Sequence, residues 1–512
     1  MSQSITVQNL PTPPSEEERI SYFDSKVRLL YFFQLIGFFG VAFSLVKFSL
    51  LDAKTLWFFI PATFLIAYFL VGFYINLKGY HNSEYDFFIE TANTFNKKKE
   101  GNISVDIFLP TAGEPIEILE NTYKYVSALE WGGMLKVHVL DDDDRMEVKN
   151  LAIKYKFNYI VRDDRGVMKK AGNLRNAYNI TSGKFIVIFD ADFVPRSDFL
   201  TKLIPYFNDK KIGIVQSPQF FRSLKGMNWL EKGAGEVQEL FYRLIQSNRS
   251  KIGAPICVGS CAIYRRKALV TAGGFAYIEH SEDVHTGFAL MSSGYKTKYV
   301  PMPMSTGLCP DNLKNFFNQQ YRWAAGSMSL MRNKKFWETD LTPSQRLCFV
   351  SGFMYYLFTA SWQLFFLVPV SMLGVFFPEN VLLRNYLPLI PSLIYGFIIL
   401  PYWHRVKYGT DAKNTKIISS FAHLAAIIDV FRNNLQGWVP TGGKPVGNKR
   451  FRNFRILNLG LIAIPSISFI LLAFYRVVIN KYPIINWTPM VIFLGYQAFM
   501  SLRIEVKINK EK

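Results

Sequence analysis

The sequence predicts an α/β domain set between groups of apolar, membrane-crossing helices, on three observations. Hydrophobic residues make up 50% of the 512, yet they gather into long runs on either side of one soluble block. Within that block short β-type runs alternate with helix-length amphipathic stretches, the pattern of a largely parallel sheet with helices on both faces. Carboxylates stand at the ends of those β-type runs, at the rim where ligands of open α/β sheets bind.

About 20 apolar residues cross a bilayer as a helix. Runs near that length are Leu29–Phe48 and Leu56–Ile75 before the block, then Leu347–Phe377, Tyr386–Trp403, Ile456–Val478 and Ile485–Leu502 after it. Six spans are therefore expected. The polar, Pro- and Glu-rich opening and the first apolar run lack the small-residue site of a cleavable secretory leader. Lys78, Lys97, Lys98 and Lys99 follow the second run, and Arg405, Lys407, Lys413, Lys416, Lys444, Lys449, Arg450 and Arg452 lie between the fourth and fifth. The links on the other side hold few cations, so both termini and the soluble block are expected in the cytoplasm of a multi-pass plasma-membrane protein. The formal charge of +20 follows partly from this topology. Its cations flank spans instead of striping a soluble face, which argues for anionic lipid headgroups and a nucleotide as partners and against nucleic acid. Cys257, Cys261, Cys309 and Cys348 form no paired ligand couplets and read as reduced packing residues.

Divided on this basis, the chain has an N-terminal tail (1–26), two spans (27–77), the soluble block (100–311) and an amphipathic interface helix (312–340). Two further spans (345–403), an interface helix with a turn-rich loop (415–452), two last spans (455–503) and a tail (504–512) complete it. The β-type runs of the block are Val105–Leu109, Val137–Leu140, Tyr159–Val161, Phe185–Phe189 and Ile212–Gln216.

Asp190-Ala191-Asp192 follows five apolar residues. Carboxylates spaced i, i+2 at a strand end suit a divalent ion that also takes diphosphate oxygens; a solvated turn is the plainer alternative. Lys170-Ala171-Gly172-Asn173 opens a helix where a lysine meets phosphate and a glycine admits backbone, or is simply a helix start. Asp141 and Asp142, at an earlier strand end, suit hydrogen bonds from a base or ribose. In Ser281-Glu282-Asp283 a carboxylate facing a dehydrated cleft would have a raised pKa and suit a general base. His280 and His285 flank it, but a spacing of five does not place a zinc pair on one helix face. His285 could touch a metal or phosphate, or pack at a helix start. In Gln319-Gln320-Tyr321-Arg322-Trp323 a guanidinium for diphosphate adjoins an indole for a sugar face, or an interfacial helix anchors itself on lipid.

In this order, the early Asp pair, Lys-Ala-Gly-Asn, Asp-x-Asp, the acidic triplet and Gln-Gln-x-Arg-Trp resemble the processive family-2 glycosyltransferases of the cellulose synthase type. The resemblance runs from Val105 to Trp323 and resumes at Trp438-Val439-Pro440-Thr441-Gly442-Gly443-Lys444, which looks like that family's gating loop. It implies a Rossmann-like GT-A fold, a UDP-sugar donor, Mg²⁺ or Mn²⁺, and inverting transfer to a growing β-linked polysaccharide exported through the enzyme's own spans. No required protein partner is implied. Carried over, Asp141, Asp142, Thr111 and Glu114 would hold the nucleoside. Lys170, Asp190 and Arg322 would meet the diphosphate, and Asp190, Asp192 and His285 would stand near the metal. Asp283, beside Glu282, would be the base; Gln319, Trp323, Ser260 and Cys261 would face the acceptor, and Trp438, Val439, Thr441 and Lys444 would gate.

Two departures concern the acceptor side. Ser281 stands where cellulose synthases usually have Thr, and Val258-Gly259-Ser260-Cys261 differs from the usual Gly-Thr-Asn. Glucose is the expected sugar through resemblance alone. A hyaluronan- or chitin-type synthase, a transferase acting on a lipid carrier, and a non-catalytic sugar sensor or transporter are the alternatives. Lys-, Asn- and Ile-rich usage fits a low-GC bacterium making a capsule.

Overall fold

The structure is a computed structural model that describes residues 10–23, 27–79, 84–94, 101–222, 226–404, 409–436 and 449–510. The chain divides into two compact units, one built on residues 75–350 and the other on the apolar helices.

The first unit holds strands β1 (Val105–Thr111), β2 (Leu135–Asp141), β3 (Asn158–Ile160), β4 (Phe185–Ile188), β5 (Val194–Pro195), β6 (Ile212–Gln216), β7 (Ala262–Arg265), β8 (Lys296–Tyr299) and β9 (Ser305–Thr306). Seven of them form one sheet in the order β3-β2-β1-β4-β7-β6-β8, and β5 pairs with β9. β3, β2, β1 and β4 run parallel; β7 runs antiparallel to both β4 and β6, and β8 is parallel to β6. The sheet is thus mixed, less uniformly parallel than the sequence pattern suggests. Strand β7 escapes that pattern because its four residues are short and end on Arg265. Every residue of β1 is buried, as expected of a central parallel strand covered on both faces. Because β2 and β4 flank β1 on opposite sides, the sheet switches direction at β1, and a crevice opens beyond the carboxyl ends of β1 and β4. Thr111 and Asp141 are register partners at that rim.

Helices Lys169–Ile180, Glu282–Ser292 and Leu313–Arg332 belong to this unit. Twelve residues of the last are buried, so the amphipathic stretch is packed along much of its length. The residues before the first apolar helix also join this unit: Arg222 binds Glu18 at 2.6 Å, and Arg196 Nη1 donates to Pro14 O at 2.7 Å.

In the second unit, helices Val27–Ser49, Leu56–Gly79, Pro343–Phe376, Leu383–Trp403 and Asn453–Val478 are long and apolar enough to cross a membrane. The sixth expected span is a helix, Ile484–Lys510, but it falls outside that group of five. Pro489 interrupts it, and its end carries Arg503, Glu505 and Lys507. Those charges are used inside the unit: Arg503 and Lys507 bind Asp411 at 2.7 and 2.9 Å, and Arg455 binds Glu505 at 2.7 Å. The second amphipathic stretch is the helix Thr410–Phe431. The expected gating residues Trp438, Val439, Thr441 and Lys444 lie outside the described residues. All four cysteines are free and buried, which accords with packing.

One polar cluster interrupts the core of the sheet. Asp106, near the start of β1, meets His138 Nε2 at 3.3 Å, Arg266 Nη2 at 3.1 Å and the Gly183 amide at 2.6 Å. Burial alone would raise the Asp106 pKa, but these donors outweigh it and hold the carboxyl below its ordinary value. That stabilisation is complete above the unfolded value of about 3.9 and is lost as pH falls through the depressed one. Asp106→Asn leaves Arg266 without its counter-charge and is expected to cost about 3 kcal/mol, read as a lowered urea midpoint at neutral pH. The gap between variant and parent should narrow in acid; an equal gap at all pH would contradict the assignment.

Candidate active site

The crevice beyond β1 and β4 collects most of the residues singled out in the sequence. On the β1–β2 side, Glu114 folds back to accept from Thr111 Oγ1 and the Ala112 amide, both at 2.6 Å. Arg145, which the sequence reading missed, donates to Glu114 O at 2.7 Å and Thr111 Oγ1 at 3.2 Å. Burial raises the Glu114 pKa. Asp141 is fully buried and accepts from the Arg145 amide at 2.7 Å, Tyr159 Oη at 2.9 Å and the Asp143 amide at 3.1 Å.

Asp142 is committed to a second missed residue. Arg162 grips it bidentately at 2.6 and 2.8 Å, with the guanidinium buried. The same guanidinium donates to Val167 O at 2.7 Å and Lys169 O at 3.2 Å. It therefore ties the rim of β2 to the turn that launches the helix bearing Lys170. Gly172 is required here, because a Cβ at that position would collide with Arg162 Nη1 and Val167 O. The glycine of Lys-Ala-Gly-Asn thus makes room for an arginine, whatever else it admits. Asn173 fastens the helix to β2 by donating to Leu140 O at 2.8 Å. A basic residue directly after β3, at the same rim as Asp142, was the available signal for Arg162.

At the centre, Lys170 Nζ bonds Asp190, donates to Gly259 O at 3.1 Å and stands 3.7 Å from Glu282. Burial would lower its pKa, yet Asp190 and Glu282 outweigh burial and keep the ammonium charged. Burial, with Asp190 and Glu114 nearby, pushes the Asp192 carboxyl up to about 7. Asp283 is likewise pushed up to about 7, first by burial and then by Glu282, with Lys170 acting in the other direction. Its Oδ1 accepts from the Val284 amide at 2.8 Å.

Arg322 arrives from the helix Leu313–Arg332. Burial lowers its pKa to about 10 while Glu282, Asp190 and Asp283 pull it back up, so the guanidinium is within electrostatic reach of all three. Gln319, Arg322 and Trp323 lie at i, i+3 and i+4, on one half-exposed face; Gln320, Tyr321, Ala324 and Ala325 are buried on the other. Tyr321 Oη donates to Asp429 at 2.9 Å and accepts from the Gln436 amide at 3.1 Å. Gly326 lets the helix approach Ser281, whose side chain a Cβ there would strike. The hydroxyl of Ser281 donates to Arg322 O at 3.3 Å, so the residue that departs from the usual Thr couples the acidic triplet to the Gln-Gln-Tyr-Arg-Trp helix.

Three expected residues are placed elsewhere. His285, read as standing near a metal, instead pairs its Nε2 with Ser329 Oγ at 2.9 Å, and burial lowers its pKa. Ser260 is fully buried and accepts the Asp190 amide at 2.9 Å, so it braces the Asp190-Ala191-Asp192 turn from behind. Cys261 is also fully buried; it accepts from Ser305 Oγ at 2.7 Å, and burial pushes its thiol up to about 12. Neither side chain is open to an acceptor as placed. Four residues beside the site, Met168, Lys169, Cys261 and Ser281, hold left-handed backbone without being glycine. A hollow of about 390 Å³ lined by Lys184, Phe185, Phe207 and Arg265 lies at the opposite ends of β4 and β7 and is separate from this chemistry.

Residues 185–400 match the family model described as glycosyl transferase family group 2. The cellulose synthase catalytic subunit of Pseudomonas fluorescens (strain SBW25) is 34% identical over 277 residues, 53% of this chain and 37% of that protein. Cellulose synthase 1 of Komagataeibacter xylinus is 34% identical over 319 residues, 61% of this chain and 20% of its own length. The chain thus spans well under half of these relatives. Among solved structures, the mannosyltransferase PcManGT from Pyrobaculum calidifontis, in complex with GDP-Man and Mn²⁺, covers 73% of this chain and 98% of its own at a TM-score of 0.51 and 14% identity. That likeness establishes the GT-A-like mixed sheet.

Gly172→Ala should displace Arg162 and release both Asp142 and the start of the Lys170 helix. The expected result is a loss of about 3 kcal/mol of stability, read as a lowered urea midpoint, because the buried Arg162–Asp142 pair is broken. A midpoint equal to the parent's would contradict the role given to Arg162.

Proposed function

We propose that this chain, which carries a glycosyltransferase family 2 domain, is a processive inverting synthase. It would build a β-linked polysaccharide from a UDP-sugar and export it through its own apolar helices. The observation that carries the reading is the convergence of Lys170, Asp190, Glu282, Asp283 and Arg322 on one rim of the sheet. Two cations for the diphosphate beside a carboxyl of raised proton affinity, Asp283, are what sugar transfer from a diphosphate needs. The cellulose synthase relatives bear on the polymer, and glucose is the sugar we assign from them.

In this reading Asp283 accepts the proton of the acceptor hydroxyl as that oxygen attacks the anomeric carbon. The bond from that carbon to the diphosphate oxygen breaks on the opposite face, so an α-linked donor gives a β-linked product. Arg322 and Lys170 neutralise charge building on the departing UDP, in a site that excludes much of the water. Trp323 and Gln319, on the same helix face as Arg322, offer an aromatic surface and an amide to the acceptor sugar. Asp141 and Glu114 border the space for the nucleoside, with Asp142 held by Arg162 behind them.

The donor set fits a divalent cation. Asp190 and Asp192 are hard oxygen ligands two residues apart; burial first, and then the charges of Asp190 and Glu114, raise the proton affinity of Asp192, and a cation would offset the charge part of that shift. Among the described residues no three acidic, His or Cys side chains close around one point, so diphosphate oxygens and water would supply the rest. Mg²⁺ or Mn²⁺ bound there would offset charge on the diphosphate. The solved mannosyltransferase of the same fold holds Mn²⁺ with its GDP-Man.

With both termini and the catalytic unit in the cytoplasm, UDP-sugar is drawn from the cytosol and the polymer leaves on the other side. Asp283→Asn should fold and bind UDP but lose transfer by about 1000-fold in membrane vesicles given each labelled UDP-sugar. Substantial polymer from that variant would sink the assignment of the base. In the parent, transfer should rise with pH through about 7, where the Asp283 carboxyl gives up its proton. A flat profile from pH 6 to 8, measured as initial rate at saturating donor, would contradict it.

A further inference from the structure

Resting on that transfer reading, we propose that three buried glutamines, Gln216, Gln219 and Gln246, are positioning residues for Asp283. They form a side-chain template that holds the segment 256–259 against the base.

The segment lies outside any strand, between the helix Gln246–Ile252 and β7. Backbone groups in such a place must still find partners. Gln216, the last residue of β6, donates from Nε2 to Ile256 O at 2.6 Å and accepts the Val258 amide on Oε1 at 3.2 Å. From the other side, Gln246 donates to the same Ile256 O at 2.7 Å and accepts the Ile256 amide at 3.0 Å. Gln219 donates to Val258 O at 3.1 Å, and its Oε1 is held by Tyr242 Oη at 2.8 Å. Both amides and both carbonyls of Ile256 and Val258 are therefore satisfied by side chains from three places in the fold. A primary amide carries a donor and an acceptor side by side, as a peptide does; a carboxylate or an alkyl chain does not. Gln216 and Gln246 are fully buried and Gln219 is 8% exposed, so these bonds do not compete with bulk water.

The template bears directly on the chemistry. Gly259 follows at φ +71°, and its carbonyl is the 3.1 Å acceptor for Lys170. A Cβ on Gly259 would stand 2.8 Å from both Cβ and Oδ2 of Asp283. The base therefore leans on bare backbone, and the same residue anchors the central ammonium. A small slide of 256–259 would move Asp283 and Lys170 together. The sheet itself does not depend on the template, because β6 and β7 are already paired from Ile214–Tyr264 to Gln216–Ala262.

Gln216→Glu and Gln219→Glu keep size and shape but delete the donor. Both are to be made in the full chain, reconstituted in nanodiscs, and read by UDP release, UDP calorimetry and thermal unfolding. Turnover is expected to fall about 10- to 100-fold, the cost of a misplaced base. UDP affinity should stay within about twofold, and the pH midpoint of turnover should move in both variants. Gln219→Glu, at the more open edge, decides the matter if Gln216→Glu does not fold. Parental turnover in a folded, UDP-binding variant would overturn the inference, and so would a loss shared equally by turnover and UDP affinity. Absence of UDP release by the parent with every UDP-sugar would instead overturn the transfer reading on which the inference rests.

Discussion

A single buried ammonium holds the site together. Lys170 balances Asp190 and Glu282 and reaches the Gly259 carbonyl, so one charge couples the helix after β3, the rim of β4, the helix Glu282–Ser292 and the segment behind it. Without it, several carboxylates would share one partly dehydrated crevice, and such a group sheds charge by taking up protons. Asp192 and Asp283, farther from that cation, already show this in their raised proton affinities. Two acids of the crevice, Asp192 and Asp283, thus hold their protons more tightly than a free carboxyl does.

Support for this centre comes from residues without chemistry of their own. Arg162 occupies the space made by Gly172 and locks Asp142 to the turn before Lys170. Ser281 and Gly326 interlock, which fixes the distance between the acidic triplet and the helix carrying Arg322. Ser260 receives the Asp190 amide from below. In each case a small residue accommodates a larger polar one from another element. The motifs are therefore packing solutions as much as lists of ligands.

Much of this was legible in the sequence, for definite reasons. Strands β2 and β4 are apolar runs that end at or just before an acid, Asp141 and Asp190, so periodicity and chemistry pointed to the same rim. Six apolar runs stood out by length, and five of them are helices long and apolar enough to cross a membrane. What was missed depends on partners far along the chain. Arg162 reads as one cation in a charged turn until β2 brings Asp142 beside it. Gln216 and Gln219 read as polar punctuation after a strand until the segment 256–258 folds onto them. Strand β7 is too short to show a period, and only pairing with β4 and β6 makes it a strand. Ser260 and Cys261 illustrate the converse: adjacency to a family's acceptor element suggested contact, whereas their side chains face into the fold. The sixth apolar run formed a helix, but its charged end serves ion pairs that composition could not reveal.

Met168, Lys169, Cys261 and Ser281 carry a different implication, for how such a protein changes over generations. Left-handed backbone in a residue other than glycine costs on the order of 1–3 kcal/mol. Each of the four stands at the doorstep of a functional group: Lys170, Ser260, or Glu282 and Asp283. Exchanging any of them for glycine would remove the steric penalty of a left-handed side chain while making the joint before that group more pliable. Selection for a sturdier protein and selection for a sharper catalyst would then pull these four positions in opposite directions.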